Sequence, residues 1–236
     1  MKSPLVVGYK GEIGRFLLAG LLEDMPKAND ILCVDVNNSD EDVLERIDRA
    51  DVIFLCVPLQ ATLAWLIKFK SALVGKKLVE QSSIKAYLYQ SDELRELNFL
   101  SMHLLFRPSA TSISDRRAML FSDRVPLAEV ERLAQVFARS FQTPMEVLRP
   151  GAEPAYILHD KLMARHQALV HRVLATLADT LIADSSQTYV GQRVRELADR
   201  IRSGDPTLYR MIQENPYLEA ELALYKGRLD KFTVDW

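Results

Sequence analysis

The chain has 236 residues, of which 48% are hydrophobic and 26% charged, enough for one large domain or two small domains with a buried core. Its formal net charge of -2 creates no strong global field, so we expect neither nucleic acid nor a membrane surface as a partner. The sequence contains no leader-like or bilayer-spanning apolar run, and both cysteines lie in apolar strand-like runs, which favours a cytoplasmic protein with free thiols.

The first 150 residues alternate short apolar runs with amphipathic stretches, a pattern that predicts strands joined by helices. The strand-like runs occupy residues 4–9, 31–36, 51–59, 76–82, 98–106 and 116–122, and a further short apolar run occupies 145–148. The helix-like stretches occupy residues 12–25, 40–50, 61–74, 86–97 and 127–141. Nearly continuous apolar strands are typical of strands buried on both faces, and their alternation with helices predicts a mostly parallel sheet.

The composition changes around residues 148–154, where two prolines and a glycine interrupt the chain. Beyond this segment the strand signals vanish, and apolar residues at three- and four-residue spacing predict one long helix from 155 to about 183. Shorter helices are predicted at about 188–203, 205–214 and 216–232, with Asp205 and Pro206 as the cap and first turn of the second. We therefore predict an α/β fold, with a Rossmann-type, mostly parallel sheet domain over residues 1–150 and an all-helical domain over 151–236.

A glycine-rich stretch follows the first predicted strand and opens the first helix, as a dinucleotide-binding turn does. Against the pattern G-x-G-x-x-G, Tyr9 occupies the first glycine position, and Gly8 lies one residue ahead of it. The amino terminus of the helix can still bind a pyrophosphate through its N–H groups and its dipole. The residues predicted to bind the cofactor in this turn are Gly8, Tyr9, Gly11, Glu12, Ile13 and Gly14.

An acidic residue, Asp35, ends the second predicted strand, 21 residues after Gly14. At this separation a carboxylate can accept hydrogen bonds from a ribose hydroxyl. No arginine or lysine follows directly to neutralise a 2′-phosphate, because the next residues are Val36, Asn37, Asn38 and Ser39. The sequence therefore predicts NAD as the cofactor in preference to NADP. The alternative is a tight turn without a cofactor, in which Asp35 caps the next helix.

Polar side chains follow the later strands of the predicted sheet. Val57 and Pro58 follow the third strand, and we predict that they line the cofactor site, because ligands bind at the carboxyl ends of parallel strands. Ser83 and Lys85 follow the fourth strand, and His103 lies in the next. Taken singly, these three residues could be a helix cap, a solvated lysine and a core histidine. Their shared position at one rim favours catalysis, and no plausible metal-ligand set accompanies them.

Four segments of the sequence resemble the prephenate dehydrogenase family, especially the dehydrogenase half of the bifunctional chorismate mutase–prephenate dehydrogenases. The family segment D-x-x-S-V-K resembles residues 80–85, and H-P-M-F-G-P resembles residues 103–108. In the helical part, H-D-x-x-M-A-x-x-Q-A-L-x-H resembles residues 159–171, and R-x-x-x-x-D-P-x-L-Y resembles residues 200–209. The resemblance covers nearly the whole chain in order, and the last two segments are the most specific.

The resemblance implies a role for each matching residue. His103 corresponds to the catalytic histidine, which accepts a hydrogen bond from the substrate hydroxyl, and Ser83 to the serine that orients it. Arg200 corresponds to the arginine that binds a substrate carboxylate, with Arg193, Arg195 and Arg202 as alternatives nearby. Lys85 and His159 correspond to polar groups that line the substrate pocket. His171 corresponds to a second helical histidine, which either packs in the helical domain or supports the residues that contact the substrate.

The sequence departs from the family pattern at four positions. Tyr9 replaces a glycine of the turn, and Glu80 replaces an aspartate. Leu104 replaces a proline, which we expect to loosen the backbone after His103, and Arg107 replaces a glycine near the substrate. Arg107 could bind a second carboxylate or fill the pocket. The resemblance also implies a homodimer through the helical domain.

Three functions are compatible with these features. The first is NAD-dependent oxidative decarboxylation of prephenate to 4-hydroxyphenylpyruvate in tyrosine biosynthesis. The second is hydride transfer from arogenate or another cyclic carboxylated alcohol, for which Leu104 and Arg107 leave room. The third is a relative that binds a nucleotide, a metabolite or a protein without turnover, which the loss of the first glycine favours.

Overall fold

The chain forms two compact units in a computed structural model that describes residues 2–24, 31–109, 111–181, 188–203 and 206–231. The first unit is Met1–Tyr156 and the second is Ile157–Trp236. Among the helices within these described ranges, none combines the length and the apolar character needed to cross a bilayer. The functional roles assigned to the sheet domain and to the helical domain stay predictions.

The first unit is built on one seven-stranded sheet. Its strands are β1 (Pro4–Val7), β2 (Leu32–Val34), β3 (Val52–Leu55), β4 (Lys77–Glu80), β5 (Phe99–Leu104), β6 (Ala118–Phe121) and β7 (Met145–Val147). Their order is β2-β1-β3-β4-β5-β6-β7. Every neighbouring pair is parallel except β5 and β6, which pair antiparallel. The predicted mostly parallel sheet is confirmed.

Helices flank this sheet between the strands. They are α1 (Glu12–Asp24), α2 (Asp40–Arg49), α3 (Leu59–Lys68), α4 (Lys70–Leu73), α5 (Ala86–Tyr89) and α6 (Leu127–Ser140). The side chains of β1, β3 and β6 are buried throughout, as the continuous apolar runs predict. Phe54 of β3 packs against Phe137 and Phe141 with ring centroids 5.4 and 6.0 Å apart, which joins the sheet to the end of α6.

The order of the strands determines where a ligand can bind. Strand β1 has β2 on one side and β3 on the other, so the winding of the chain reverses between β1 and β3. In open sheets of this kind, a crevice forms at such a reversal, outside the carboxyl ends of the strands. The residues directly after β1, β2, β3 and β4 therefore surround the expected ligand site.

The predicted helix over residues 86–97 is mostly absent. The structure has only α5 and a single 3₁₀ turn at Asp92–Leu94. The Arg124 guanidinium donates to the backbone carbonyl oxygens of Tyr89, Leu94 and Leu97. A distant side chain therefore satisfies the Tyr89 carbonyl, which a helix over 86–97 would pair internally, and also the Leu94 and Leu97 carbonyls, so the local helical pattern is overridden.

The helical region begins with α7 (Ala155–Met163), a π-helical turn (Ala164–Ala168) and α8 (Leu169–Leu181), which follow one another without interruption. The predicted long helix is thus continuous as far as the described residues reach, but it contains a π turn that its apolar spacing does not predict. The remaining helices are α9 (Tyr189–Arg202), α10 (Pro206–Gln213) and α11 (Leu218–Leu229). Asp205, the predicted cap of α10, lies outside the described residues.

The second unit combines a small apolar cluster with ion pairs between helices. Ala168, Ile212 and Leu218 are buried together. The Arg165 guanidinium donates two hydrogen bonds of 2.9 Å to the carboxylate of Glu221, which ties the π turn to α11. A forked pair of this kind also orients the two helices, because both of its hydrogen bonds require one geometry.

Candidate functional site

The turn after β1 owes its conformation to Gly8. This residue has a φ of +77°, its N–H donates to Val34 O at 2.8 Å, and its carbonyl accepts from Gly11 N at 3.1 Å. A Cβ at this position would lie 2.6 Å from Val57 Cγ1 and 2.7 Å from Cys56 O. The turn glycine is therefore Gly8 itself, and the working pattern is G-x-x-G-x-x-G. The extra residue is absorbed between the first two glycines, so Tyr9 needs no left-handed backbone.

The third glycine, Gly14, allows α1 to lie against this turn. A Cβ there would lie 2.2 Å from Gly8 O and 2.6 Å from Tyr9 Cα, distances that no side chain could tolerate. Gly11 is less crowded, with the Cβ position 3.3 Å from Gly8 O. The turn thus has the shape of a pyrophosphate cradle, in which backbone and a helix amino terminus approach an anion closely.

The side chains of Tyr9 and Ile13 in the turn pack against the hydrophobic core. Tyr9 is half-buried, and its ring packs on the core cluster that includes Val6 and Leu17. Ile13 packs on the same cluster. Lys10 is exposed, and its ammonium lies 5.6 Å from the centroid of the Tyr9 ring. Any contact of Tyr9 or Ile13 with a cofactor would therefore come mainly from the backbone.

Asp35 lies directly beside the glycine turn. Its carboxylate accepts a hydrogen bond from Lys10 N at 3.2 Å and another from Val36 N at 2.8 Å, while Asn38 Oδ1 accepts from the N–H of Asp35. These bonds hold the carboxylate at the carboxyl end of β2, next to β1. A cofactor whose pyrophosphate lay on the turn would bring its adenosine ribose to this side chain.

The start of α2 adds negative charge near Asp35. Ser39 caps the helix by accepting from Asp42 N at 3.2 Å. The first turn carries Asp40, Glu41 and Asp42, of which Asp40 is paired with Lys68 and Asp42 with Arg46. A dianionic 2′-phosphate placed at Asp35 would lie near these carboxylates.

Glu12, in the first turn of α1, is joined to the loop after β5. Its carboxylate accepts from Ser109 N at 2.9 Å and from Ser109 Oγ at 2.5 Å, and Arg107 Nε lies 3.3 Å away. The hydrogen bond from the Ser109 hydroxyl and the Arg107 charge lower the pKa of Glu12. The structure thus places Arg107, a predicted substrate ligand, beside the cofactor turn, with its side chain 71% exposed.

A buried polar cluster lies at the end of β4. Lys85 Nζ lies 2.8 Å from Glu80 Oε1, and neither side chain has any exposed surface. The other Glu80 oxygen accepts from Ser82 N and Ser82 Oγ at 2.8 and 2.5 Å, and Ser101 Oγ also donates to the carboxylate. The ammonium of Lys85 is thus paired with Glu80, and the substrate contact predicted for Lys85 stays a prediction.

His103 and Ser83 lie beside this cluster. Ser101 and His103 are two residues apart in β5, so their side chains share one face of the sheet, the face on which Ser101 reaches Glu80. His103 is 8% exposed, and Ser83, three residues past the end of β4, is half-buried. The structure thus brings the predicted histidine and serine to the carboxyl ends of neighbouring strands.

The backbone after His103 is held firmly, contrary to the expectation for Leu104. Leu104 pairs with Ala118 of β6, and the N–H of Leu105 donates to Arg117 O at 2.9 Å. The antiparallel ladder therefore supplies the restraint that a proline would supply elsewhere.

Gln81 is a residue of this rim that the sequence analysis missed. It is the first residue after β4 and 9% exposed, and its Nε2 donates to Cys56 Sγ at 3.2 Å. Its Oε1 is buried and has no hydrogen-bond partner among the described residues. Val57 is half-buried beside Gly8, and Pro58 is exposed as the N-cap residue of α3. A glutamine at a strand end carries no sequence signal for binding, since only the folded surroundings show which of its atoms are paired.

In the second unit, the predicted substrate-binding residue His159 is buried. His159 and Asp160 are fully buried, with Nδ1 of the imidazole 2.8 Å from Asp160 Oδ1. Asn215 Nδ2 donates to the Asp160 carbonyl at 2.9 Å, which anchors this pair to the segment before α11. His159 is therefore an oriented histidine that belongs to a buried network.

Arg200 is exposed and makes no ion pair with the described residues. Of the alternatives, Arg193 is paired with Glu196, and Arg202 with Asp179. These pairs leave Arg195 and Arg200 as the arginines of α9 whose guanidinium groups are not engaged in ion pairs within the described part of the chain. The role of Arg200 as the ligand of a substrate carboxylate stays a prediction.

His171 stacks on Tyr209, with ring centroids 6.1 Å apart and planes 10° from parallel. Its Nδ1 is buried and unpaired among the described residues, and burial lowers the pKa of the imidazole. A neutral ring stacked on an aromatic partner agrees with packing, the first of the two roles that the sequence analysis allows for His171.

A cavity of about 160 Å³ lies at the opposite, amino edge of the sheet, where Gly75, Lys77, Asn98 and Glu129 form part of its lining. It contains none of the predicted site residues. Ligands of parallel sheets bind at the carboxyl edge, so this cavity does not compete with the glycine turn as the candidate site. Among the described residues, no group of three or more histidine, cysteine, aspartate or glutamate side chains is arranged to hold a metal ion.

The fold can be compared with solved structures. No protein-family profile matches the chain, and no curated protein matches it in sequence. A Corynebacterium glutamicum protein proposed to be a prephenate dehydrogenase has a TM-score of 0.71 at 18% identity, with 98% of this chain and 80% of that chain covered. The chain has the fold of NAD(P)-dependent dehydrogenases and reductases. This likeness confirms the predicted Rossmann-type sheet with a following helical region and, at the level of the fold, the resemblance to prephenate dehydrogenases.

Two further structures show how the same fold takes either cofactor. An imine reductase variant from Myxococcus stipitatus in complex with NAD+ has a TM-score of 0.54 at 14% identity, covering 100% of this chain and 79% of that chain. The imine reductase from Myxococcus stipitatus in complex with NADP+ has a TM-score of 0.53 at 16% identity, with 99% and 79% covered. The fold alone therefore does not decide between the two cofactors.

Proposed function

We propose that the protein is an NAD-dependent oxidoreductase that binds its cofactor across the carboxyl ends of β2, β1, β3 and β4. The observation that carries this proposal is the pairing of the crowded glycine turn with the Asp35 carboxylate beside it. Side chains are excluded at Gly8 and Gly14, where a pyrophosphate needs backbone, and an acceptor is held where a ribose offers hydroxyl groups. When bound, NAD+ would supply the hydride acceptor.

The order of the strands gives the direction of the cofactor. With the adenosine at Asp35 and the pyrophosphate on the turn, the nicotinamide half extends past Val57 toward Gln81 and Ser83. The next strand carries His103. Substrate chemistry is therefore expected at the carboxyl ends of β4 and β5, which is where the resemblance assigns the catalytic residues.

We further propose that the substrate is prephenate, which the enzyme oxidises and decarboxylates to 4-hydroxyphenylpyruvate. In this assignment His103 accepts the proton of the ring hydroxyl as the carbonyl forms, and Ser83 orients the imidazole and the hydroxyl. Loss of CO₂ is driven by aromatisation of the ring and uses no further group of the chain.

A planar guanidinium suits a substrate carboxylate, because it can donate two parallel hydrogen bonds. Arg200 is exposed and outside any ion pair of the described residues, and these properties support it as the carboxylate ligand. His159, oriented by Asp160, is proposed as a further polar residue that contacts the substrate. Arg107 remains a further candidate for a second carboxylate, although it would have to leave Glu12.

Two alternatives remain as outcomes of the tests below. Arogenate or another cyclic carboxylated alcohol would keep the cofactor and the base but change the carboxylate ligands. A non-catalytic relative would bind a nucleotide or metabolite without turnover.

Binding of NAD+ to purified protein, measured by titration calorimetry, tests the cofactor assignment. Replacing Asp35 by alanine should weaken NAD+ binding about 10- to 100-fold, because the ribose loses a charged acceptor, while NADP+ binding weakens less. Asp51→Ala is the matched control, since this carboxylate also accepts two backbone N–H groups, from Lys2 and Ser3, but lies at the amino end of β3. Equal losses in the two variants would contradict the assignment.

Formation of NADH from NAD+ and prephenate, followed by absorbance, tests the reaction. We expect His103→Asn to lower kcat by about 10²- to 10⁴-fold with little change in NAD+ affinity. His166→Asn is the control, because this histidine is exposed on the π turn. Turnover of another carboxylated alcohol but not of prephenate would select the second function, and NAD+ binding without any turnover would select the third.

A further inference from the structure

The Gln81 amide is an incompletely paired group at the proposed nicotinamide end of the site. Its nitrogen donates to Cys56 Sγ, and its oxygen is buried with no partner among the described residues. Burial raises the pKa of the Cys56 thiol, which stays protonated and is a weak acceptor. The acceptor is left over in the orientation in which Nε2 donates to the sulfur; in the exchanged orientation the thiol would donate to the oxygen and the NH₂ group would be the unpaired end.

An unpaired buried amide oxygen is costly, since it has lost its hydration without gaining a hydrogen bond. In folded proteins such an oxygen atom usually accepts a hydrogen bond from a water molecule or from a ligand. The position of Gln81 favours a ligand. It contacts Cys56 at the end of β3, whose carbonyl oxygen borders Gly8 of the turn after β1, so the glutamine lies two strands from the proposed pyrophosphate position.

The spacing of the strands fits the length of the proposed cofactor. From β2, where Asp35 ends the strand, to β4, which Gln81 follows, there are three strand separations, or about 14 Å along the rim. The adenosine half occupies the first part of this path, so the group that reaches Gln81 belongs to the nicotinamide half.

Because Gln81 Oε1 is a hydrogen-bond acceptor, the ligand group that contacts it must be a donor. A substrate that carries carboxylates offers further acceptors at these positions, which would be repelled by the amide oxygen. Its ring hydroxyl is the donor already assigned to His103. The nicotinamide ring carries a carboxamide whose NH₂ group is a donor and needs an acceptor.

We propose that Gln81 Oε1 accepts a hydrogen bond from the carboxamide NH₂ of the nicotinamide and thereby sets the rotation of the ring at the carboxyl end of β4. This inference rests on the proposed function, because it requires NAD to lie in the orientation given above. It adds a residue that selects the intact carboxamide and that presents one face of the ring toward His103.

The test compares NAD+ with its 3-acetylpyridine analogue, in which a methyl ketone replaces the carboxamide and removes both N–H donors. Affinities are measured by calorimetry for the wild-type protein, for Gln81→Met, and for the control Gln90→Met, whose glutamine is exposed after α5. We expect wild type and the control to bind NAD+ about 3- to 10-fold more tightly than the analogue, and Gln81→Met to bind the two about equally.

The outcomes separate this inference from the function on which it rests. A wild-type protein that binds NAD+ and the analogue equally well overturns the role of Gln81, whatever the variants do. An unchanged ratio in Gln81→Met also overturns it, and the ratio is measured within each protein, so a moderate loss of stability does not affect it. A wild-type protein that binds no NAD+ overturns the cofactor assignment itself.

Discussion

At the scale of single residues, Gly8 and Gly75 form a natural comparison. Their φ angles are +77° and +80°, a region that favours glycine, but their surroundings differ. A Cβ at Gly8 would collide with Val57 and with the Cys56 carbonyl, whereas a Cβ at Gly75 would meet nothing within 4 Å. The first glycine is therefore required for its backbone conformation and for its lack of a side chain, and the second for its conformation alone.

The first prediction follows from this difference. Gly75→Ala should lower the free energy of unfolding by about 1 kcal/mol, the conformational cost, and Gly8→Ala by about 3 kcal/mol or more because the clash is added. Urea denaturation of both variants measures the two losses. If the Gly8→Ala protein is no less stable than Gly75→Ala, the turn can move to accommodate a side chain. The contacts of Gly8 with the residues after β3 would then not require a glycine.

The second prediction concerns His171 and pH. Burial lowers the pKa of its imidazole below the ordinary value, which the unfolded chain retains. As the pH falls below about 6.5, the unfolded state therefore takes up a proton before the folded state does. The stability that His171 contributes is therefore present above about pH 6.5. It is lost as the pH falls from there to the lowered pKa of the folded state, and it does not change further below that pKa.

His171→Phe should remove this component, because phenylalanine can still stack on Tyr209 but does not titrate. The free energy of unfolding of the variant, relative to wild type, is expected to rise as the pH is lowered from 7 through this range. Denaturant titrations at several pH values measure the difference, and a difference independent of pH would contradict the burial of the imidazole.

At the scale of elements, a buried ion pair between Glu80 and Lys85 lies at the end of β4. Glu80 and Lys85 have no exposed surface, so breaking the pair leaves a charge inside the protein. Lys68 and Asp40, with side chains 54% and 53% exposed, form a pair of similar distance in water. The two pairs allow the effect of burial to be separated from the effect of pairing.

Lys85→Met should therefore lower the free energy of unfolding by about 3 to 5 kcal/mol, and Lys68→Met by less than about 1 kcal/mol. Replacing both Glu80 and Lys85 by apolar residues should cost less than Lys85→Met alone, since no buried charge is left unpaired. Equal effects of the two lysine substitutions, measured by urea denaturation, would argue against a buried pair.

The local sequence predicted the strands and helices well, but it did not predict where a helix is broken or contains a π turn. The strand-like runs and most amphipathic helices appear within a few residues of their predicted ends, because apolar periodicity reflects which face is buried. Two interruptions had no local signal. Arg124 donates to the Tyr89 carbonyl inside the predicted helix over 86–97, and the π turn inside the long helix coincides with the Arg165–Glu221 pair to α11.

At the scale of the whole molecule, the second unit has exposed apolar side chains at regular spacing. Val170 and Leu177 are seven residues apart on α8, and Val190 and Leu197 are seven apart on α9, with exposures between 43% and 68%. Two turns of helix separate the members of each pair, so each pair lies on one helix face. These faces support the homodimer through the helical domain, which we retain as a proposal.

The double variant Leu177→Glu, Val190→Glu tests the homodimer. A dimer that uses these faces should dissociate into monomers, because two carboxylates would be buried at the interface, while circular dichroism shows an unchanged helix content. Light scattering coupled to chromatography measures the mass. A mass equal to that of wild type at the same protein concentration would exclude these faces from the interface.

By itself, the sequence determined the order of strands and helices, the presence of a glycine turn after the first strand, and the position of Asp35, because these depend on neighbouring residues and short spacings. The tertiary structure alone decided that Gly8 is the turn glycine, since the decisive contacts come from Val57 and Cys56. It also decided that Lys85 is paired with Glu80 and that Gln81 Oε1 has no hydrogen-bond partner within the part of the chain that the structure describes. Burial and pairing of polar atoms depend on partners brought from distant parts of the chain, and for that reason no local pattern records them.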